Sequence, residues 1–212
     1  MKEYENREML ETAPVNLILI AISAIVFAAG AMNIPGIPSR DWIYMRGALY
    51  APLLLKGQGF YRILTAVFIH ADTMHLFNNM IVQFAGGNLL EKKIGHVRYA
   101  LVFLLSGIAG NLVSVAADFV TGSFGFSVGA SGAVFGVLGA MIFLIVRQRD
   151  RSGRYRSLLL RTGLMTAYLL LSGWRNPSIN QAAHAGGLAA GFVLCALMMH
   201  GRSEVDLEEL LR

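Results

Sequence analysis

Two residues able to do covalent chemistry stand near the starts of two long apolar segments. Ser131 lies in Gly129-Ala130-Ser131-Gly132, and His184 in Ala183-His184-Ala185-Gly186-Gly187. A serine hydroxyl becomes a nucleophile when a neighbouring imidazole takes its proton. A third apolar segment opens with His75 and Asn79, four residues apart and so on one helix face. An imidazole N–H and a side-chain amide are the donor types that can hold a developing oxyanion. Inside a bilayer, such a set would hydrolyse peptide bonds of other membrane proteins.

The elements that must position these residues are membrane helices. The chain has 212 residues, 55% hydrophobic and 15% charged, with a mean hydropathy of +0.55. Soluble domains carry about 25% charged residues. Eight of the 13 acidic residues lie in the tails, Glu3 to Glu11 and Glu204 to Glu209, so the interior is nearly acid-free, as lipid requires. The 18 basic residues sit between apolar runs. That placement speaks against nucleic acid and for the lipid bilayer as partner. Cys195 is the only cysteine, which excludes an intrachain disulfide and reads as a buried small hydrophobe.

A spanning helix takes about 20 apolar residues. Six segments qualify, near 15–34, 73–90, 97–117, 129–147, 157–173 and 179–199. The residues ahead of the first hold Lys2 and Arg7 against four glutamates, the wrong balance for a signal peptide. With six spans, 13 basic residues fall on the side of the termini and five on the other, so both termini are expected to be cytoplasmic. The expected class is all-α: a polytopic six-helix membrane domain over 15–200 between cytoplasmic tails 1–14 and 201–212. The 1–2 connection holds Trp42, Tyr44, Tyr50, Phe60 and Tyr61. It reads as a partly embedded loop or as a small outer cap.

The second, fourth and sixth segments then all enter from the outer side. His75, Asn79, Ser131 and His184 fall at similar depth, with Ser131 about one turn into its helix. Gly129, Gly132, Gly136 and Gly139 stripe the fourth segment, and Gly187 and Gly191 share the face of His184. Such stripes let backbones approach closely in lipid. Each feature has a plain structural alternative. A lone membrane serine usually bonds back to the i−4 carbonyl, and His75 with Asn79 can be interhelical glue. The joint placement favours a site.

In this order on these segments, the motifs resemble the rhomboid family of intramembrane serine proteases. Tyr61-Arg62 is similar to that family's Trp-Arg pair. His70 with His75-x-x-x-Asn79, Gly86-Gly87 before Glu91, Gly129-x-Ser131-Gly132, and Ala183-His184-x-x-Gly187-x-x-x-Gly191 resemble its other elements. Tyr61 stands in place of tryptophan, one extra residue separates Gly87 from Glu91, and Phe135 stands where many relatives have tyrosine. The resemblance implies six helices, a Ser131–His184 dyad without a third acid, and a ring at 135 stacked on the base. It also implies small residues before the cut, and ties Arg62 and Glu91 to loop and helix-end hydrogen bonds.

On this reading His184 is the general base and Ser131 the nucleophile, with Asn79 and His75 as oxyanion donors. Transmembrane proteins are the substrates, cut near the outer face. No cofactor or metal is called for, and a bacterial plasma membrane is the expected location. Arg175 to Gln181 is expected to cap the cavity, while Trp174 reads equally as a lateral gate or an interfacial anchor. The main alternative is a non-catalytic relative that binds membrane proteins. A transporter would show inverted repeats, and a zinc protease H-E-x-x-H; neither is present in the sequence.

Overall fold

The computed structural model describes residues 12–31, 36, 38–148, 153–172, 179–201 and 207. Trp174, Arg175 to Ser178 of the expected cap, most of both tails, and Arg149 and Arg151 lie outside the described residues. Helix α1 spans Pro14–Ala31. The 1–2 connection folds into α2 (Arg40–Gly47), strand β1 (Leu49–Tyr50), α3 (Ala51–Leu55), α4 (Arg62–Thr65) and a 3-10 turn at Ala66–Phe68. Then come α5 (Thr73–Val82), a π-helical turn at Gln83–Gly87, α6 (Asn88–Ile94), α7 (His96–Thr121), strand β2 (Phe126–Ser127), α8 (Ser131–Arg147), α9 (Gly153–Ser172) and α10 (Gln181–Met198). Among these, α1, α7 and α10 are long and apolar enough to cross a membrane, and α8 is a shorter apolar helix. Residues 157–172 of the expected segment 157–173 lie in α9, which begins earlier and takes Arg154 and Arg156 into its first turn.

Sequence expectation treated 73–90 as one helix. The backbone there stays helical from Thr73 to Ile94, as α5, a π-helical turn and α6 in succession. The cause lies in the neighbours of that turn. Asn16 of α1 donates through Nδ2 to the Gln83 carbonyl at 3.1 Å and to Asn88 Oδ1 at 2.7 Å. Its Oδ1 accepts from the Tyr99 hydroxyl at 2.5 Å. A Cβ on Gly87 would run into Asn16 and Tyr99, so the turn passes them only with glycine. A π-turn releases backbone carbonyls from the regular ladder, and here Gln83 gives its own to Asn16.

Glu91 is fully buried. Its carboxylate accepts the N–H groups of Val15 at 3.0 Å and Asn16 at 2.7 Å, and His96 Nδ1 lies 2.6 Å away. The first N–H groups of a helix lack intrahelical partners and carry its positive dipole end. Glu91 therefore fastens α1 to the α6–α7 corner. At the other end of the bundle, Arg62 donates through Nη1 to the Ala48 carbonyl at 2.7 Å, which closes the 1–2 connection.

The densest contact is the three-way packing of α7, α8 and α10. A Cβ on Gly191 would collide with the Gly136 carbonyl oxygen, and one on Gly187 with that of Gly132. The expected glycine stripes are thus where two backbones touch, the arrangement that gains packing energy in lipid. Tyr99, Val102 and Phe103 from α7, Val134 and Val137 from α8, and Cys195 from α10 fill the core around them.

Candidate active site

Ser131 is the first residue of α8 rather than one turn inside it. The chain turns sharply just before it. Gly129 takes a φ of 120°, which side-chain-bearing residues avoid. Its N–H donates to the Ala66 carbonyl at 2.9 Å. A Cβ there would sit 2.6 Å from His75 Nε2 and 3.7 Å from Asn79 Nδ2. The bend therefore lays the backbone just ahead of Ser131 against both α5 side chains. It also leaves the first-turn N–H groups of α8 without intrahelical acceptors beside the serine.

His184 lies in the first turn of α10, 7% exposed. Its Nε2 stands 2.9 Å from Ser131 Oγ. The Phe135 ring stacks on the imidazole, with centroids 4.4 Å apart and planes 24° from parallel. One face of the imidazole is thereby covered, which restricts rotation of the ring away from the hydroxyl. Among the described residues His184 Nδ1 has no hydrogen-bond partner. An imidazole whose Nε2 is unprotonated can accept the serine proton at this distance.

His75 and Asn79 share the site but differ in their ties. Asp72 caps α5 by accepting the His75 N–H at 2.8 Å. The His75 ring meets His70 edge-on at 5.2 Å. Asn79 is 7% exposed, and its Nδ2 has no partner among the described residues. A buried amide with unused donors is costly to keep, and such a group is able to donate to a negative charge that develops beside it. All four site residues expected from the sequence thus come together, three helices contributing.

Two further residues border the site, and the sequence reading gave them no role there, His70 having entered it only through the family pattern. His70 is almost fully buried, and its Nε2 faces the Ala130 N–H at 3.4 Å. Burial, and then the neighbouring His75, push its pKa down to about 4, so the ring is neutral and can accept. Asn180 caps α10, accepting the Ala183 N–H at 3.0 Å. The sequence does contain a signal for it, since asparagine ahead of a helix is a favoured cap; the expectation gave it to a cavity cap instead.

Comparison with known proteins agrees with the geometry. The sequence matches the Rhomboid domain over residues 57–201. It is 30% identical over 188 residues to the YdcA protein of Bacillus subtilis (strain 168), covering 87% of this chain and 88% of that one. It is 34% identical over 164 residues to Rhomboid-like protease 1 of Toxoplasma gondii, covering 76% of this chain and 54% of the relative. It is 28% identical over 183 residues to Rhomboid protease GluP of Bacillus subtilis (strain 168), covering 85% and 34%. The chain thus spans most of the first relative and only part of the other two.

Proposed function

The chain belongs to the rhomboid family of intramembrane serine proteases, and from that premise we propose that Ser131 and His184 form its catalytic dyad. The observation that carries the reading is the 2.9 Å contact between Ser131 Oγ and His184 Nε2. His184 takes the hydroxyl proton as the oxygen attacks a peptide carbonyl, then returns it to the leaving amine. Asn79 Nδ2, His75 and the Ser131 backbone N–H serve the oxyanion, and the position of Gly129 against both α5 side chains supports this assignment. Water then hydrolyses the acyl-enzyme.

In this reading the substrates are transmembrane proteins, cut near the outer face, with small residues before the cut. A peptide bond in a membrane helix is shielded, and unwinding it in lipid costs several kcal/mol per unsatisfied group. Substrates therefore carry Gly, Pro or polar residues at the outer end. Six spans cross a bacterial plasma membrane, both termini are cytoplasmic, and 15–200 is the membrane domain between tails 1–14 and 201–212. The basic asymmetry supports that orientation. The 1–2 connection is partly embedded: Trp42, Met45, Phe60 and Leu64 are exposed on it, and a groove of about 580 Å³ runs between it and α1.

The experiment is cleavage of a panel of single-pass membrane proteins in reconstituted vesicles by wild type and Ser131→Ala. The reading expects cleavage by the first alone. A wild-type chain that binds panel members and cuts none is the outcome of the non-catalytic alternative.

A further inference from the structure

Resting on that reading of the dyad, we propose that Asn180 is a positioning residue that fixes α10 against the loop leading into Ser131. Four hydrogen bonds converge on it. Its backbone carbonyl accepts the His184 N–H at 3.2 Å, and its Oδ1 accepts the Ala183 N–H. Its Nδ2 donates to Ser114 Oγ at 2.5 Å and to Ser127 Oγ at 2.9 Å. A helix cap needs only the Oδ1 contact. The two Nδ2 bonds are extra, and each reaches a different element.

Ser114 is buried on α7. Ser127 ends β2 and lies four residues before Ser131. Its strand is two residues long and pairs with Leu49 and Tyr50; Phe126 stacks on Tyr50 and Gly129 is tied to Ala66, whereas the bond from Asn180 links this stretch to the base helix. Asn180 lies one helical turn ahead of His184. One side chain thus joins the base helix, the core helix α7 and the approach to the nucleophile.

The dyad needs such a tie. The glycine contacts between α8 and α10 set how closely the helices approach. Flat backbone faces restrain sliding and rotation along the helix axis less than directional bonds do. Protein N–H hydrogen bonds keep donor and acceptor within about 2.7–3.2 Å, and a displacement of about 1 Å costs on the order of 10²-fold in rate. A chain of bonds from Ser127 through Asn180 to the His184 N–H limits that displacement at both reacting ends.

Three substitutions separate this role from capping. Asn180→Ser keeps a capping oxygen but is too short to reach Ser114 and Ser127. Asn180→Asp keeps the cap and places a second oxygen where Nδ2 stands, to which both hydroxyls rotate and donate. Asn180→Ala keeps neither. In the full chain in vesicles, kcat is measured per molecule that reacts with a fluorophosphonate, together with KM and thermal midpoint. Asn180→Ser and Asn180→Ala are expected to lose about ten-fold or more in kcat with little change in KM, and Asn180→Asp to recover most of it. Ser127→Ala, which removes one bond and little volume, is expected to lose a smaller factor and remains informative where an Asn180 variant does not fold. Wild-type kcat in Asn180→Ser, or in Ser127→Ala, overturns the proposal, as does Asn180→Asp no faster than Asn180→Ser. Cleavage by Ser131→Ala would instead overturn the dyad reading, whatever the Asn180 variants do.

Discussion

Glu91→Gln tests whether one buried carboxylate anchors the first helix. Both carboxylate oxygens accept N–H groups of α1, and Oε1 also lies beside His96 Nδ1. The amide keeps one oxygen and turns an NH2 group toward a former donor. One charge-assisted bond is lost, at about 1.5–3 kcal/mol. The negative charge at the α1 N-terminus is lost as well, at up to about 1 kcal/mol. The sum is about 2–4 kcal/mol. For a chain of this size each kcal/mol moves the midpoint by about 2–4 °C, so a fall of roughly 5–15 °C is expected. Cys195 is the only cysteine and is fully buried, so a fluorogenic thiol dye reports unfolding directly in a temperature ramp at fixed rate. Because Glu91 touches neither Ser131 nor His184, cleavage per folded molecule well below the midpoint should stay near wild type. A midpoint unchanged in Glu91→Gln would refute the anchoring argument, and a selective loss of kcat would place Glu91 in the chemistry instead.

Asn79→Ala is expected to lower kcat by on the order of 10²-fold or somewhat less, since other donors remain, with KM little changed; raised KM with normal kcat would move Asn79 to substrate binding. His70 supplies a pH signature. Its folded pKa of about 4 lies below the ordinary 6.5, so on acidification the unfolded chain takes up the proton first. The stability tied to neutral His70 is present above about pH 6.5 and is lost as pH falls toward 4. At about pH 5 the loss reaches about 2 kcal/mol, so His70→Asn should show a smaller drop in thermal midpoint between pH 7 and 5 than wild type; equal drops would discount the buried ring. For orientation, Ser123→Cys and Ser152→Cys in a Cys195→Ala background separate the two sides. An impermeant thiol reagent should label the first from outside and spare the second, and the reverse pattern would invert the topology.

Much of the site was legible because its residues follow local rules. The glycines at 132, 136, 187 and 191 mark a close helix contact by spacing alone, and Ser131 and His184 lie on the two faces that meet there. What the sequence hid depends on distant partners. The π-turn at Gln83–Gly87 arises from Asn16, far away in the chain, and periodicity within 73–90 carries no trace of it. The start of α8 at Ser131 follows from Gly129 being wedged against His75, a contact between separate segments. The pairing of Leu49–Tyr50 with Phe126–Ser127 is too short to leave an alternating pattern. The capping role of Asn180 was readable in advance, whereas its bonds to Ser114 and Ser127 needed the assembled bundle.

The most direct test of the central claim is active-site labelling of the reconstituted chain with a fluorophosphonate, with the modified residue located by peptide mass. The account predicts a single adduct on Ser131 in wild type, none in Ser131→Ala, and almost none in His184→Ala, with thermal midpoints that show all three folded. An equally labelled Ser131→Ala chain, or full-rate labelling of folded His184→Ala, would contradict it.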